Sequence, residues 1–196
     1  MDMKKLAGDK AAEYVKDGMV VGLGTGSTAY HMVNAVGEMV KNGLKIQAIP
    51  TSKATEAQAR ELGIPLLTID EVDHVDLDID GVDEIDPQFN AIKGGGGALV
   101  REKILAEAAE QVIWIMDAGK RVETIEDYTL PIELVPFSHP FVRRTLTNRG
   151  YDAILRMQQD SAFITDNGNL ILDVRIPASR SIQEAHDELV HIAGVV

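Results

Sequence analysis

The sequence predicts an α/β fold, in which an open and mostly parallel sheet is followed by a smaller α+β domain. Short apolar runs alternate with segments of helical periodicity through residues 1–118, this rhythm changes near residue 120, and a βαββα order follows. Alternating strands and helices are typical of parallel sheets with helices on both faces. We therefore place one domain at residues 1–125 and a second at residues 126–196.

The first elements follow from local patterns. Residues 3–16 predict a helix, because Leu, Ala and Val recur there among Lys and Asp. The apolar run at residues 19–23 ends at glycines, which predicts a buried strand. Apolar residues at helical spacing predict a helix at residues 27–41, and a further apolar run predicts a strand at residues 45–49.

The sheet domain continues with a predicted helix at residues 53–62, since glycine, which follows it, commonly ends helices. An apolar run predicts a strand at residues 64–69, and apolar residues that alternate with Asp predict another at residues 75–80. A helix is predicted at residues 98–109, followed by a buried strand at residues 112–116. In such Rossmann-like sheets, ligands bind at the carboxyl ends of the strands.

The second domain has a different order. It is predicted as strand 130–135, helix 141–148, strand 153–157, a hairpin turn at 166–169, strand 170–174 and helix 182–192. This βαββα order is a ferredoxin-like pattern without its last strand.

Composition excludes several classes of function. The chain has 196 residues, is 45% hydrophobic, contains no Cys and carries a formal net charge of −12. Disulfides, thiolate catalysis and Cys-based metal sites are therefore excluded, and so acidic a surface repels nucleic-acid phosphates and anionic lipid. The N-terminal segment lacks the apolar core of a signal peptide, and no apolar run approaches the roughly 18 residues of a membrane span. We expect a cytoplasmic protein with neither nucleic-acid nor membrane partners.

A glycine-rich loop at residues 22–28 joins the first predicted strand to the second helix. Glycines allow a ligand close to the backbone, and the N–H groups at a helix N-terminus suit a phosphate. The loop does not match the dinucleotide fingerprint, which would need glycine where Ser27 stands, nor a Walker A loop, which would need Gly-Lys. It predicts either a phosphate site or a tight turn in which Ser27 caps the helix.

An acidic segment at residues 76–86 contains six carboxylates. Residues 76–81 match the start of a calcium loop, but Pro87 stands at the twelfth position, where a bidentate Glu is required. Read as a strand, the segment places Asp80 at its carboxyl end, where sites form, and Asp83 in the loop beyond. The alternative is a solvated acidic turn.

Lys93 and four glycines follow, and then a helix that carries Glu102. Four glycines in regular structure cost roughly 1 kcal/mol each relative to Ala, which favours a loop that wraps closely around a ligand. The helical neighbours of Glu102 are apolar, so we expect it to be partly buried, with its pKa raised towards the range of a general base. Arg101 has similar neighbours, so the pattern alone does not single out Glu102. Lys120 follows the strongest strand and is a candidate second cation.

Taken together, these segments resemble ribose-5-phosphate isomerase, type A. The resemblance rests on motifs in the family's order and spacing, which span nearly the whole chain: Gly24-Thr-Gly-Ser-Thr28, Asp80-Gly-Val-Asp-Glu84, Lys93-Gly-Gly-Gly, Arg101-Glu-Lys103, Asp117-Ala-Gly-Lys120 and Thr165-Asp-Asn-Gly-Asn169. The family has Ala more often than Gly at position 97. Its chain usually runs some twenty or more residues past Val196, which would supply the strand that the βαββα pattern lacks.

The resemblance implies interconversion of D-ribose 5-phosphate and D-ribulose 5-phosphate through an enediolate, by a cytoplasmic homodimer without metal or organic cofactor. It implies Glu102 as proton acceptor, Lys93 as oxyanion partner, and Asp80 and Asp83 at the sugar hydroxyls. The second domain would serve as a lid or in oligomerisation. The substrate-binding residues that it implies are Thr25, Gly26, Ser27, Thr28, Gly81, Val82, Gly94, Gly95, Gly96 and Lys120.

Two other classes of function are compatible with such a fold. One is a non-catalytic sugar-phosphate sensor, which usually carries a DNA-binding segment that this sequence does not show. The other is an enzyme similar to coenzyme A transferases, with Glu102 as the nucleophile.

Overall fold

A computed structural model of the protein describes residues 2–125 and 129–196, and the chain divides into two compact units, Met1–Thr124 and Ile125–Val196. Within the described ranges no helix is both long enough and apolar enough to cross a membrane. The elements of the first unit are α1 (Met3–Ala12), β1 (Val20–Leu23), α2 (Ser27–Lys41), β2 (Gln47–Pro50), α3 (Lys53–Glu61), β3 (Val75–Gly81), β4 (Glu84–Ile85), β5 (Ala91–Ile92), α4 (Leu99–Ala108) and β6 (Ala109–Ile115).

The main sheet of the first unit is parallel throughout, with strand order β2-β1-β3-β6. The predicted α/β class is therefore confirmed. From β1 the chain crosses to β2 on one side, and from β2 it passes over β1 to β3 on the other. The strand order thus reverses between β1 and β3, and at such a switch point the loops diverge and leave a crevice at the carboxyl ends of the strands.

The two faces of β3 have different chemistry, because successive side chains of a strand point to opposite faces. Leu77 and Ile79 are fully buried in a core that also contains residues of β1 and α2, such as Leu23 and Met32. The alternate residues of β3 are aspartates, and α4 packs against this strand with Leu105 buried. One face of β3 therefore supports the core, while the other carries carboxylates beneath α4.

Residues 64–69, predicted as a strand, do not form one. Only Leu66 makes an isolated bridge, to Ala48. Pro65 has no N–H to donate to a ladder, and Thr68 and Glu71 form a capping box that starts a 3-10 turn. The short hairpin of β4 and β5 was not predicted, because strands of two residues carry no readable periodicity.

The second unit contains β7 (Thr129–Leu134), α5 (His139–Asn148), β8 (Asp152–Leu155), β9 (Met157–Gln158), β10 (Ser161–Ala162), β11 (Leu170–Arg175) and α6 (Ile182–Leu189). Its main sheet is antiparallel with order β7-β11-β8, which confirms the predicted α+β class. The β9–β10 hairpin was not predicted. The predicted turn at residues 166–169 is present, with Gly168 at a φ of 80°.

Candidate active site

The candidate site lies at the carboxyl ends of β1, β3 and β6, within the first unit. The loop after β1 leads into α2, the segment after β3 leads through β4 and β5 to the glycine run, and a 3-10 turn at Ala118–Lys120 follows β6. Because these strands are parallel neighbours, segments far apart in sequence meet at one edge of the sheet.

The N-terminus of α2 is open to an anion. Gly26 precedes the helix at a φ of 119°, and no side chain caps the first turn. Such a turn has N–H groups without intrahelical partners and the positive end of the helix dipole. Lys4 of α1 adds a cation here, because its Nζ donates a hydrogen bond of 2.9 Å to Ser27 Oγ.

Thr25 ties this loop to two other elements. Its hydroxyl lies 2.7 Å from Thr51 Oγ1, 2.8 Å from Ser52 Oγ and 3.2 Å from Thr55 Oγ1. Its backbone N–H donates a 2.9 Å hydrogen bond to Asp80 Oδ1. The buried hydroxyls thus connect the loop after β1 to α3, and the Thr25 amide connects the same loop to the carboxylate at the end of β3.

Lys93, Asp80 and Glu102 form one group of charges, called here the Lys93 cluster. Lys93 Nζ lies 3.0 Å from Asp80 Oδ2 and 3.3 Å from Glu102 Oε2, and it donates a 2.5 Å hydrogen bond to the Gly81 carbonyl. Asp80 is 1% exposed and Glu102 5% exposed. The ammonium group is therefore held between two buried carboxylates that come from different elements.

Burial and mutual charge perturb all three groups of the Lys93 cluster. Burial, reinforced by the negative charge of Asp80 and opposed by Lys93, raises the pKa of Glu102 to about 7. Burial also raises the pKa of Asp80, although Lys93 opposes it. Burial works against the Lys93 ammonium, but Asp80 and Glu102 outweigh it and raise the pKa of Lys93. At neutral pH, Glu102 is therefore able both to accept and to release a proton, beside a permanent cation.

Asp83 and the glycine run form another wall of the site. Gly95 N–H donates a 2.7 Å hydrogen bond to Asp83 Oδ2, and a Cβ at Gly95 would lie 2.6 Å from Asp83 Oδ1. Gly94 adopts a φ of 100°, which favours glycine. Close approach and backbone conformation thus explain two glycines of the run.

Every predicted site residue except Asp80 lines a single pocket. Asp80 lies behind Lys93 instead of at the pocket wall. Across residues 2–125 and 129–196, no three His, Cys, Asp or Glu side chains are grouped to hold a metal ion. The pocket-lining residues are Thr25, Gly26, Ser27, Thr28, Gly81, Val82, Asp83, Lys93, Gly94, Gly95, Gly96, Glu102 and Lys120.

Sequence reasoning missed Lys4 and the hydroxyl cluster around Thr25. Lys4 is one of several lysines on α1, and nothing in the local pattern distinguishes it. Thr51 and Ser52 directly follow the carboxyl end of β2. That position in a parallel sheet was the one available signal for them.

Sequence comparisons find known proteins that match this chain over most or all of its length. The family model described as ribose 5-phosphate isomerase A (phosphoriboisomerase A) matches residues 47–196. Ribose-5-phosphate isomerase A of Listeria monocytogenes serotype 4b is 46% identical over 197 residues, which cover 100% of this chain and 88% of the relative. The enzyme of the same name from Streptococcus gordonii is 48% identical over 196 residues, or 100% and 87% of the two chains.

Solved structures show the same likeness. Ribose 5-phosphate isomerase A of Methanocaldococcus jannaschii matches with a TM-score of 0.92 and 37% identity, over 100% of this chain and 88% of that one. A D-ribose-5-phosphate isomerase in complex with phospho-erythronic acid matches with a TM-score of 0.92 and 38% identity, over 100% and 87% of the two chains.

Proposed function

The chain belongs to the ribose 5-phosphate isomerase A family, and on that premise we propose how its residues interconvert D-ribose 5-phosphate and D-ribulose 5-phosphate. It is an aldose–ketose isomerase of the pentose phosphate pathway. The observation that carries the assignment of roles is the Lys93 cluster. In this cluster, the Glu102 carboxylate, with a pKa of about 7, contacts the Lys93 ammonium group. Both groups line a pocket that also includes the N-terminus of α2.

The substrate phosphate binds at the N-terminus of α2. Free N–H groups of the first turn, the hydroxyls of Ser27 and Thr28, and the ammonium groups of Lys4 and Lys120 supply donors and positive charge. A local positive site of this kind lets a protein with a net charge of −12 bind a dianion. A related isomerase forms a complex with phospho-erythronic acid, which carries a phosphate, and this supports a phosphorylated sugar as the substrate class.

Glu102 transfers the proton between the two carbons. Its carboxylate takes the proton from C2 of the open-chain aldose, the electron pair forms the C1–C2 double bond, and the carbonyl oxygen on C1 becomes an oxyanion. The hydroxyl proton on O2 then passes to O1, and Glu102 returns its proton to C1, which leaves a carbonyl at C2. A pKa near 7 suits a group that must both accept and donate.

Lys93 stabilises the enediolate. An ammonium group fixed in a site shielded from water favours the charge that develops on the substrate oxygen more than it favours the neutral carbonyl. Asp80 and the Gly81 carbonyl hold Nζ in place. We therefore assign Asp80 to orienting Lys93, because it does not line the pocket.

Asp83 is the group proposed to assist ring opening. It lies in the pocket wall, and the Gly95 amide holds one of its carboxylate oxygens. The Asp83 carboxylate takes the proton of the anomeric hydroxyl and returns it to the ring oxygen as the bond between C1 and that oxygen breaks, which gives the open-chain sugar. The resemblance placed both Asp80 and Asp83 at the sugar hydroxyls, and we assign ring opening to Asp83 because Asp83 lines the pocket and Asp80 does not.

We also propose a cytoplasmic homodimer. Pentose phosphates carry charge that keeps them inside the cell, so an enzyme that acts on them is expected there. In the second unit, Phe137 is 97% exposed, and Val135 and Phe141 are exposed close to it in sequence. Large apolar side chains so exposed favour self-association. Sedimentation equilibrium would show a monomer if this is wrong.

Replacing Glu102 by Gln tests the assignment of the base. The amide keeps the shape but accepts no proton, so we expect kcat to fall by roughly 10²–10⁴-fold with KM little changed. The measurement follows ribulose 5-phosphate formation with a chelator present. Glu107→Gln is the matched control, since Glu107 is exposed on the same helix. If Glu102→Gln turned over as fast as the unsubstituted protein (the parent), the role of Glu102 would be refuted. If the parent itself showed no turnover, the proposed reaction would be refuted.

A further inference from the structure

Asp78 is a buried carboxyl group that the proposed chemistry does not use. It is 1% exposed, and neither of its carboxylate oxygens has a hydrogen-bond partner within the part of the chain that the structure describes. Burying an ionised carboxylate without partners is strongly unfavourable, and such a group takes up a proton instead. We therefore expect the Asp78 carboxyl group to be protonated and neutral in the folded protein.

The neighbouring strand β1 leaves room for the Asp78 side chain. Gly22 of β1 is the direct register partner of Asp78, and a Cβ at Gly22 would lie 2.3 Å from Asp78 Oδ1. Gly24 makes the same room for Asp80, since its Cβ would lie 2.2 Å from Asp80 Oδ1. Gly22 in β1 and Gly24 directly after it thus leave space for two carboxyl groups on one face of β3.

The charged groups near Asp78 are those of the candidate active site. On its own strand, Asp80 lies two residues further along the same face, and Asp76 lies two residues before it. Lys93 reaches this face from the loop after β5, and α4 brings Glu102 into contact with Lys93. The register partners on the flanking strands, Gly22 and Val112, carry no charge.

We propose that Asp78 is a positioning residue whose neutral form supports turnover and whose ionised form weakens the site. This inference rests on the proposed isomerase function. An ionised Asp78 would compete with Asp80 and Glu102 for the Lys93 ammonium. Lys93 would then be drawn towards β3, and the negative charge would oppose the enediolate. When Asp78 is neutral, the Lys93 ammonium remains available to stabilise the substrate oxygen.

The electrostatic surroundings of Asp78 support this inference. Burial, reinforced by the negative charge of Asp80 and opposed by Lys93, raises the pKa of Asp78 to about 7. The group is therefore largely protonated on the acid side of neutrality and becomes charged above it. The effect on catalysis is expected to appear on the alkaline side of the pH profile.

The first measurement tests the neutral state and needs no substrate. The folded state keeps the Asp78 proton up to about pH 7, whereas an unfolded Asp releases it near pH 3.9, so ionisation in the unfolded state lowers the stability of the parent between those values. Asp78→Asn lacks this ionisation. The difference in Tm between Asp78→Asn and the parent should grow from about pH 4 to about pH 7 and then level off. A constant difference would overturn the proposal.

The second measurement tests positioning. The ratio of kcat in Asp78→Asn to kcat in the parent should rise about tenfold between about pH 6 and about pH 9, as the parent alone gains a charge beside Lys93. A flat ratio would overturn the proposal even if the stability result holds. Asp76→Asn is the control, because Asp76 lies on the same face but accepts a hydrogen bond from Val20 N–H, and an equal rise there would also overturn it.

If Asp78→Asn does not fold, Asp78→Ser gives the same two readouts, since serine is smaller and likewise does not ionise in this range. A parent enzyme without isomerase activity would overturn the proposed function separately. The stability comparison would still decide the protonation state of Asp78.

Discussion

Replacing Lys93 by Met removes the charge that holds two buried carboxylates. At an effective dielectric constant of about 20, unit charges about 3 Å apart attract by about 5 kcal/mol, of which desolvation cancels a large part. Lys93 contacts Asp80 at 3.0 Å and Glu102 at 3.3 Å, so its loss leaves both carboxylates without their cation. We expect a loss of about 3–5 kcal/mol in the free energy of unfolding near pH 8.

The loss should depend on pH in a definite direction. The pKa of Lys93 is raised above its unfolded value, so its contribution to stability is complete below the unfolded pKa and is lost as the pH rises through the raised pKa of the folded state. The pKa of Glu102 is about 7, so in the parent one of the two ion pairs is already weakened at about pH 5. In Lys93→Met the carboxylates can also take up protons at that pH. The destabilisation should therefore be smaller at about pH 5 than at about pH 8.

Urea unfolding followed by circular dichroism at both pH values measures this effect. Lys103→Met is the matched control, because Lys103 is exposed on α4 and should cost no more than about 0.5 kcal/mol. The reasoning fails if Lys93→Met is no more destabilising than Lys103→Met. It also fails if the loss is equal at the two pH values, since the carboxylates would then not be the groups left uncompensated.

Three further predictions follow from the same geometry. The kcat/KM of the parent, measured from initial rates, should fall about tenfold per pH unit below about pH 7, where Glu102 takes up a proton. A decline that begins only near pH 4.5 would contradict this. Gly24→Ala should lower the free energy of unfolding in urea by about 1–3 kcal/mol, because its Cβ would lie 2.4 Å from the Asp80 Cα. No loss would mean that the backbone at Gly24 can move away from β3 without cost. Thr55→Val should lower kcat about tenfold, because it loses the hydrogen bonds to the Thr25 hydroxyl and the Gly24 carbonyl, whereas Thr55→Ser should keep them and keep turnover. Equal rates in the two variants would argue against a role of the buried hydroxyls in holding the loop.

The positions of the glycines explain how this sheet carries so many carboxylates. Gly22 and Gly24 lie opposite Asp78 and Asp80, where any side chain on β1 would collide with them. The same two glycines belong to the loop motif that the sequence suggested for phosphate binding. Part of that motif therefore makes room for the neighbouring strand, and the helix start beyond it is the proposed anion site.

The α/β class and the β7, α5, β8, β11 and α6 elements of the second unit could be predicted from sequence patterns, whereas the set of residues that line the pocket came from the resemblance to a known family. Strand periodicity, glycine runs and helix starts are local signals, and a parallel sheet brings its carboxyl ends to one edge. The resemblance to a known family joined these local signals into one site. The strand predicted at residues 64–69 failed because Pro65 and the Thr68 capping box decide that segment locally, against its apolar pattern.

The tertiary structure alone decided where each acid lies. Sequence reasoning placed Asp80 and Asp83 together at the sugar, but the fold buries Asp80 behind Lys93 and leaves Asp83 in the pocket wall. It also brought Lys4 to Ser27 and left Asp78 without hydrogen-bond partners among the described residues. Residue types and spacings determine which groups can meet at the sheet edge. Their burial and their distances from one another set the charge that each group carries, and these arise only when separate elements pack together.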